Sequence, residues 1–144
     1  MSTLSMTKDE REAFLADLHV GVLSIVGEGA TPLTAPIWYS YEPGGTVNVI
    51  IGPDSLKARA LVNAKAFSLC AQAETLPYRY VTVEGPVVET GPASFDERAA
   101  MAIRYLGEEL AKGYLASTGG EQSDSLVVRM QPERWRTTDY GKQL

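Results

Sequence analysis

The sequence predicts an α+β fold, mainly β: a six-stranded antiparallel barrel with flanking helices. Three observations lead there. Segments rich in β-branched and aromatic residues follow one another with short Gly- and Pro-bearing turns between them. One helix is inserted after the third strand and more helix before the last, so strands and helices do not alternate as a doubly wound parallel sheet requires. At 144 residues, 44% hydrophobic and 22% charged, the chain is long enough to bury a core of its own, and barrel closure removes exposed strand edges.

The elements follow in order. Thr7 and Glu10 have the spacing of a capping box, and Phe14, Leu15 and Leu18 give one apolar side to a helix over residues 7 to 18. "HVGVLSIVG" reads as the first strand, turned by Gly27, Glu28 and Gly29. Residues 31 to 42 form a second extended segment carrying Pro32 and Pro36; proline there implies an edge, a bulge or a bend. "PGG" at 43 to 45 turns the chain into a third strand, "TVNVIIG". A helix over 54 to 64 takes Asp54 as N-cap and directs Leu56, Ala60, Leu61 and Ala64 to the core.

In the next strand, "AFSLCAQAE", Phe67, Leu69, Ala71 and Ala73 share one side by period-two alternation. A longer strand covers residues 77 to 90, and helix broken near Gly107 and Gly113 covers 93 to 117. The loop "STGGEQSDS" leads to the last strand, "LVVRMQPERWRTTD". No repeat, low-complexity tract or linker divides the chain, so residues 1 to 144 read as one domain.

A formal charge of −5 argues against a general nucleic-acid or anionic-membrane surface, while a local basic pocket remains compatible with it. One cysteine, Cys70, and one histidine, His19, exclude a disulfide framework and a zinc-type cluster. With no basic segment followed by an apolar one at the N-terminus, a cytoplasmic location is expected.

The helix over 54 to 64 poses the functional question. It places Lys57 and Arg59 in its first turns, where the macrodipole is positive and cations are disfavoured. Two readings stand: a solvated face paired with Asp54 or a distant glutamate, or a phosphate cradle completed by Ser55 and the first-turn N–H groups. Residues two apart lie about 200° around a helix, so both side chains would have to bend toward one anion. Neither nucleotide-loop motif, Walker A or G-x-G-x-x-G, is present.

Three segments together, "APIWYSYEPGGTVNVII", "SLKARAL" and "YRYVTVEGPV", resemble the pyridoxamine-5′-phosphate-oxidase-like split barrels. Within them the nearest resemblance is to the actinobacterial oxidoreductases that use coenzyme F-420 or FMN. It covers residues 10 to 90, and the last third is compatible in pattern alone. The resemblance implies a homodimer with the cofactor at the subunit interface. The ring would lie against Pro36, Ile37, Trp38 and Tyr39, with Ile50, Ile51 and Gly52 opposite, and Lys57, Arg59 and Ser55 would hold the phosphate. The implied activity is hydride transfer between F-420 and an electron-poor acceptor, enone- or quinone-like; FMN is the alternative cofactor. The substrate-phosphate residues of the oxidase proper have no match in the last third, which disfavours vitamin B6 oxidation. A non-catalytic flavin- or haem-type binding module is the rival of another class.

Other conspicuous residues carry two readings each. Trp38 and Tyr39 are adjacent on a strand, so one alone can face the ring directly. Tyr39 and Tyr80 are candidate proton donors. Tyr80, with Tyr78 and Arg79, serves either a dimer interface or a cross-strand aromatic pair. Trp135 either covers a ring bound to the partner subunit or packs on the barrel. His19 and Cys70 read as structural, and Glu108 with Glu109 as a solvated helix face.

Overall fold

The computed structural model describes residues 3–27 and 29–144. Its chain order is α1 (Lys8–Ala16), β1 (Gly21–Ile25), β2 (Leu33–Ile37), β3 (Tyr39–Ser40), β4 (Val47–Ile51), α2 (Leu56–Ala64), β5 (Ala66–Ala73), β6 (Arg79–Pro92), α3 (Phe95–Ser117), β7 (Leu126–Met130) and β8 (Arg134–Asp139). All pairings are antiparallel, along the path β2–β1–β5–β6–β7–β4–β3 with β8 also on β6. The split-barrel class expected from the sequence is the class found.

Among the described residues eight strands replace the expected six, because two expected strands are each interrupted. The segment over 31 to 42 breaks at Trp38 into β2 and β3. The segment over 126 to 139 breaks at 131–133, where Pro132 lacks a ladder donor, into β7 and β8. Both halves follow the same edge of β6, with Leu126 opposite Pro92 and Asp139 opposite Arg79. At the interruption the N–H groups of Gln131 and Glu133 donate to the carbonyls of Pro86 and Glu84. A Cβ on Gly85 would sit 1.8 Å from the Gln131 carbonyl oxygen, so the crossing requires glycine there.

Helix boundaries shift for local reasons. Thr7 caps α1 through the expected capping box: its hydroxyl accepts from the Glu10 N–H, and its own N–H donates to the Glu10 carboxylate. Ser55, not Asp54, caps α2, its hydroxyl accepting from the Ala58 N–H. Leu56 faces solvent instead of the core. Of the two glycines expected to break the third helix, Gly107 alone leaves helical geometry, at φ 80° and ψ 167°. The arms over 95–106 and 108–117 fold back on each other and bury Ala102, Ala111 and Leu115 in a small cluster of their own. The expected turn at Gly27, Glu28 and Gly29 includes Glu28, which lies outside the described residues.

The main core fills the barrel. Leu23 and Ile25 of β1, Val47, Val49 and Ile51 of β4, Phe67, Leu69 and Ala71 of β5 and Val81 and Val83 of β6 point inward, joined by Phe14 and Leu15 of α1. Among the described residues no helix is long and apolar enough to cross a membrane.

Candidate cofactor site

A cleft of about 460 Å³ opens where the ends of β2 and β4 meet α3. Pro36, Ile37 and Trp38 form one part of its wall, and Ile50, Ile51 and Gly52 another. These are six of the residues expected against a flavin-type ring, and the fold brings them together. The opposite wall comes from α3 and the loop after it: Arg98, Met101, Ala102, Tyr114, Thr118 and Ser125.

Trp38 sits in the break between β2 and β3 and turns its side chain into the cleft. Its ring stacks on Tyr105 at 5.1 Å between centroids, 4° from parallel, and tilts against Tyr114 at 5.2 Å. The Tyr105 hydroxyl secures the break: it donates to the His19 carbonyl at 2.6 Å and accepts from the Tyr39 N–H at 3.1 Å. One α3 residue therefore supplies both the face under the indole and the hydrogen bonds that the interrupted strand lacks.

Tyr39 takes the other side of the alternation. Its side chain is 0% exposed in the barrel core, and its hydroxyl donates to the Leu15 carbonyl at 2.6 Å. Burial holds the phenol well above its ordinary pKa, chiefly by desolvation. Tyr39 is thus a core residue and not part of the cleft, which removes its basis as ring contact and proton donor. Tyr80 lies on β6 opposite Gln72 and Thr138, away from the cleft. Trp135 packs inward, edge-on to Tyr41 at 6.1 Å with the Arg11 guanidinium over its ring at 4.7 Å. That is the barrel-packing alternative. The tyrosine that does line the cleft is Tyr114, a residue sequence reasoning passed over.

The expected phosphate residues stand apart from the cleft, on α2, whose start follows directly from the cleft residue Gly52. Ser55 is committed to the helix start: its hydroxyl donates to the Gly52 carbonyl at 2.7 Å and accepts from the Ala58 N–H. Lys57 is half-buried and Arg59 exposed, and neither forms an ion pair among the described residues. The first turn of α2 carries no acid. Arg59 lines apolar grooves on both flanks of α2, one beside Val26 and Leu33, the other beside Ile51, Val87 and Lys65.

The residues fit a flavin-type group in two respects. An apolar, aromatic-walled cleft of this volume accepts a planar ring. Cations without a carboxylate partner beside a helix start suit a phosphate. Signals for the α3 wall existed in the sequence: Tyr105 and Tyr114 flank Gly107, the residue at which the helix turns back.

No family model matches the sequence, and no curated protein matches it. Solved structures do. A conserved hypothetical protein of Mycobacterium tuberculosis superposes with a TM-score of 0.78 at 21% identity, covering 99% of this chain and 91% of that one. An F420 reductase matches at TM-score 0.71 and 20% identity, over 87% of this chain and 94% of its own. A FAD-binding protein of Mesorhizobium loti matches at TM-score 0.63 and 16% identity, over 92% and 93%. The fold is that of the pyridoxamine-5′-phosphate-oxidase-like split barrels.

Proposed function

We propose that this chain is an oxidoreductase that binds coenzyme F-420 as a homodimer and exchanges hydride with an electron-poor small molecule. The observation that carries the reading is the convergence of Pro36, Ile37, Trp38, Ile50, Ile51 and Gly52 on one cleft. The likeness to an F420 reductase supports it at the level of fold. A bound deazaflavin would supply the hydride, from C5 of its ring, to an enone- or quinone-like double bond. The protein's part is binding, orientation and exclusion of water.

Each residue then has a defined task. Trp38, held flat by Tyr105, presents a fixed aromatic edge to the ring, and Ile50 and Ile51 exclude water from the opposite side. Lys57 and Arg59 neutralise the phosphate at the start of α2. Tyr114 replaces Tyr39 and Tyr80 as the tyrosine placed to hold a proton at the substrate.

Dimerisation is supported by the outward face of the sheet. One register row there runs Pro36, Val22, Cys70, Thr82, Arg136 across β2, β1, β5, β6 and β8. Val22 is 38% exposed on it. Pro36 belongs both to this row and to the cleft wall, so a second subunit covering the face reaches the cleft rim.

FMN is the second reading, favoured by the likeness to a FAD-binding protein. Titration of the purified protein with F-420 and with FMN, followed by fluorescence, separates the two. Micromolar binding of F-420, weakened at least tenfold (about 1.4 kcal/mol) in Lys57→Ala/Arg59→Ala, is the expected outcome. Binding of neither cofactor, or binding indifferent to the double substitution, overturns the assignment. Cofactor binding without turnover across an acceptor panel would leave a binding module in place of an enzyme.

A further inference from the structure

Arg98 lies in the wall of the cleft yet is only 6% exposed. Its guanidinium closes the α3 hairpin by donating to the Gly120 carbonyl at 2.5 Å and to the carbonyl and hydroxyl of Thr118 at 3.1 and 2.9 Å. Three of its five N–H donors are thereby used, and every acceptor is neutral. Among the described residues Arg98 forms no ion pair. The acid one position before it, Glu97, is taken by Arg129 at 2.7 Å.

A buried guanidinium without a counter-charge is costly, because neutral acceptors satisfy its donors without cancelling its charge. The carbonyl end of α3 offers roughly half an elementary charge in compensation. The rest is uncancelled at the wall of a cleft whose remaining lining is mostly apolar: Val20, Pro36, Ile37, Trp38, Ile50 and Met101. The other two polar groups at this corner, the Thr118 and Ser125 hydroxyls, sit where the ends of α3 meet. Ser125 is fixed there because its carbonyl accepts from the Ala93 N–H, just ahead of the α3 N-cap, Ser94.

We infer that Arg98 is the anion-recognition residue of the cleft, and that the small molecule bound there has a planar apolar body carrying a carboxylate. This rests on the reading above only in assigning that molecule as the hydride acceptor; the anion site itself follows from the cleft. The carboxylate accepts from one of the remaining guanidinium donors, Nε–H or the second Nη1–H, and its body lies along Met101 and Tyr114 of the α3 wall, which leaves Trp38 and the isoleucines to the ring. Arg98 thereby discriminates an acid from its neutral analogue, since the analogue leaves the buried charge unpaired.

The test compares trans-cinnamate with cinnamamide, its uncharged counterpart, by calorimetric titration of the full chain at pH 7.5 in 150 mM salt. The expected result is at least tenfold tighter binding of the acid, a preference lost in Arg98→Met, partly kept in Arg98→Lys and unchanged in Lys57→Ala/Arg59→Ala. Thermal melts check that each variant is folded, and the wild-type comparison stands without them. Equal affinities for the two probes, binding of neither, or a preference that survives Arg98→Met or vanishes in the α2 double variant each overturn the inference. F-420 is titrated into the same samples. Cofactor binding without acid preference removes the Arg98 assignment alone; acid preference without binding of either F-420 or FMN removes the redox reading and leaves the anion site.

Discussion

The two walls of the cleft are built in different ways. The strand wall is the end of the barrel itself: Ile51 belongs to the main core, and Trp38 stands between Ile37, packed against that core, and the fully buried Tyr39. The α3 wall has a small core of its own, Ala102, Ala111 and Leu115, and joins the rest of the molecule through the Tyr105 and Tyr114 rings on Trp38 and a set of polar ties. Arg98 closes its hairpin, Arg129 of β7 holds Glu97 near its start, Arg104 docks it onto the end of α1, and Tyr105 ties it to His19 and Tyr39. The difference teaches which wall fixes the ring and which can be tuned. Apolar packing sets the first with little tolerance for change, while the second is adjusted one hydrogen bond at a time.

The largest effect is expected where the strand wall is rooted. Leu69 is fully buried in β5, beside β1 and β6, and Leu69→Ala should cost about 2–5 kcal/mol by removing packing and leaving a cavity. Urea unfolding measures this. The loss should be global, with ligand affinity of the folded fraction little changed; a selective loss of cleft binding would show that the strand wall is not a rigid part of the barrel.

A smaller and more local effect is expected at Tyr105. Tyr105→Phe keeps the ring under Trp38 but strands the Tyr39 N–H and loosens the His19 carbonyl, at a cost of about 1–3 kcal/mol. Hydrogen exchange should quicken at Tyr39 and along α3 while β5 and β6 keep their protection. Uniform acceleration would mean that the two walls unfold as one unit.

The same contrast decides what the sequence made legible. Period-two alternation placed Phe67, Leu69 and Ala71 inside, because side-chain direction in a strand is a local property, whereas the strand wall of the cleft was expected from the family resemblance alone. Alternation also required Trp38 and Tyr39 to part, and they do. What decided the break at Trp38 was Tyr105, 67 residues away, which no local pattern contains. Gly107 and Gly113 look alike in sequence, yet one turns the helix back and the other stays helical. The pairing of Arg98 with Thr118 exists only once that turn is made. The shift of the α2 cap from Asp54 to Ser55 is of the opposite kind, a choice between two good caps one residue apart.

Alkaline stability offers a finer probe of the strand wall. Burial raises the Tyr39 pKa above its ordinary value of 10, so the phenol ionises more readily in the unfolded chain than in the folded one. Its contribution is constant below about pH 10 and is lost as pH rises from there toward the folded pKa. Stability measured from pH 9 to 11.5 should fall with a slope that Tyr39→Phe reduces, the remainder including Tyr41, which burial raises in the same direction. An unchanged slope would place Tyr39 in contact with water.

The smallest effect tests α1, the element both walls share: Tyr39 reaches its Leu15 carbonyl from one side, and Arg104 reaches Ala16 and Asp17 from the other. The start of α1 is tied down by Glu10, whose carboxylate accepts from Lys142 Nζ and from the Thr7 N–H, both at 2.8 Å. The Lys142 hydrogen bond, then the Thr7 one, lowers the Glu10 pKa from 4.5 to about 2. A lowered carboxylate pKa contributes stability above the unfolded value, so this tie is intact above about pH 4.5 and is lost as pH falls toward 2. The pair is exposed and salt-screened, so its loss should fray the start of α1 without unfolding the barrel. An NMR titration of the Glu10 carboxyl should find its midpoint near 2, moved upward in Lys142→Met. A midpoint near 4.5 in the unaltered protein would mean that Lys142 does not hold the Glu10 carboxylate, and that the start of α1 rests on its own capping box.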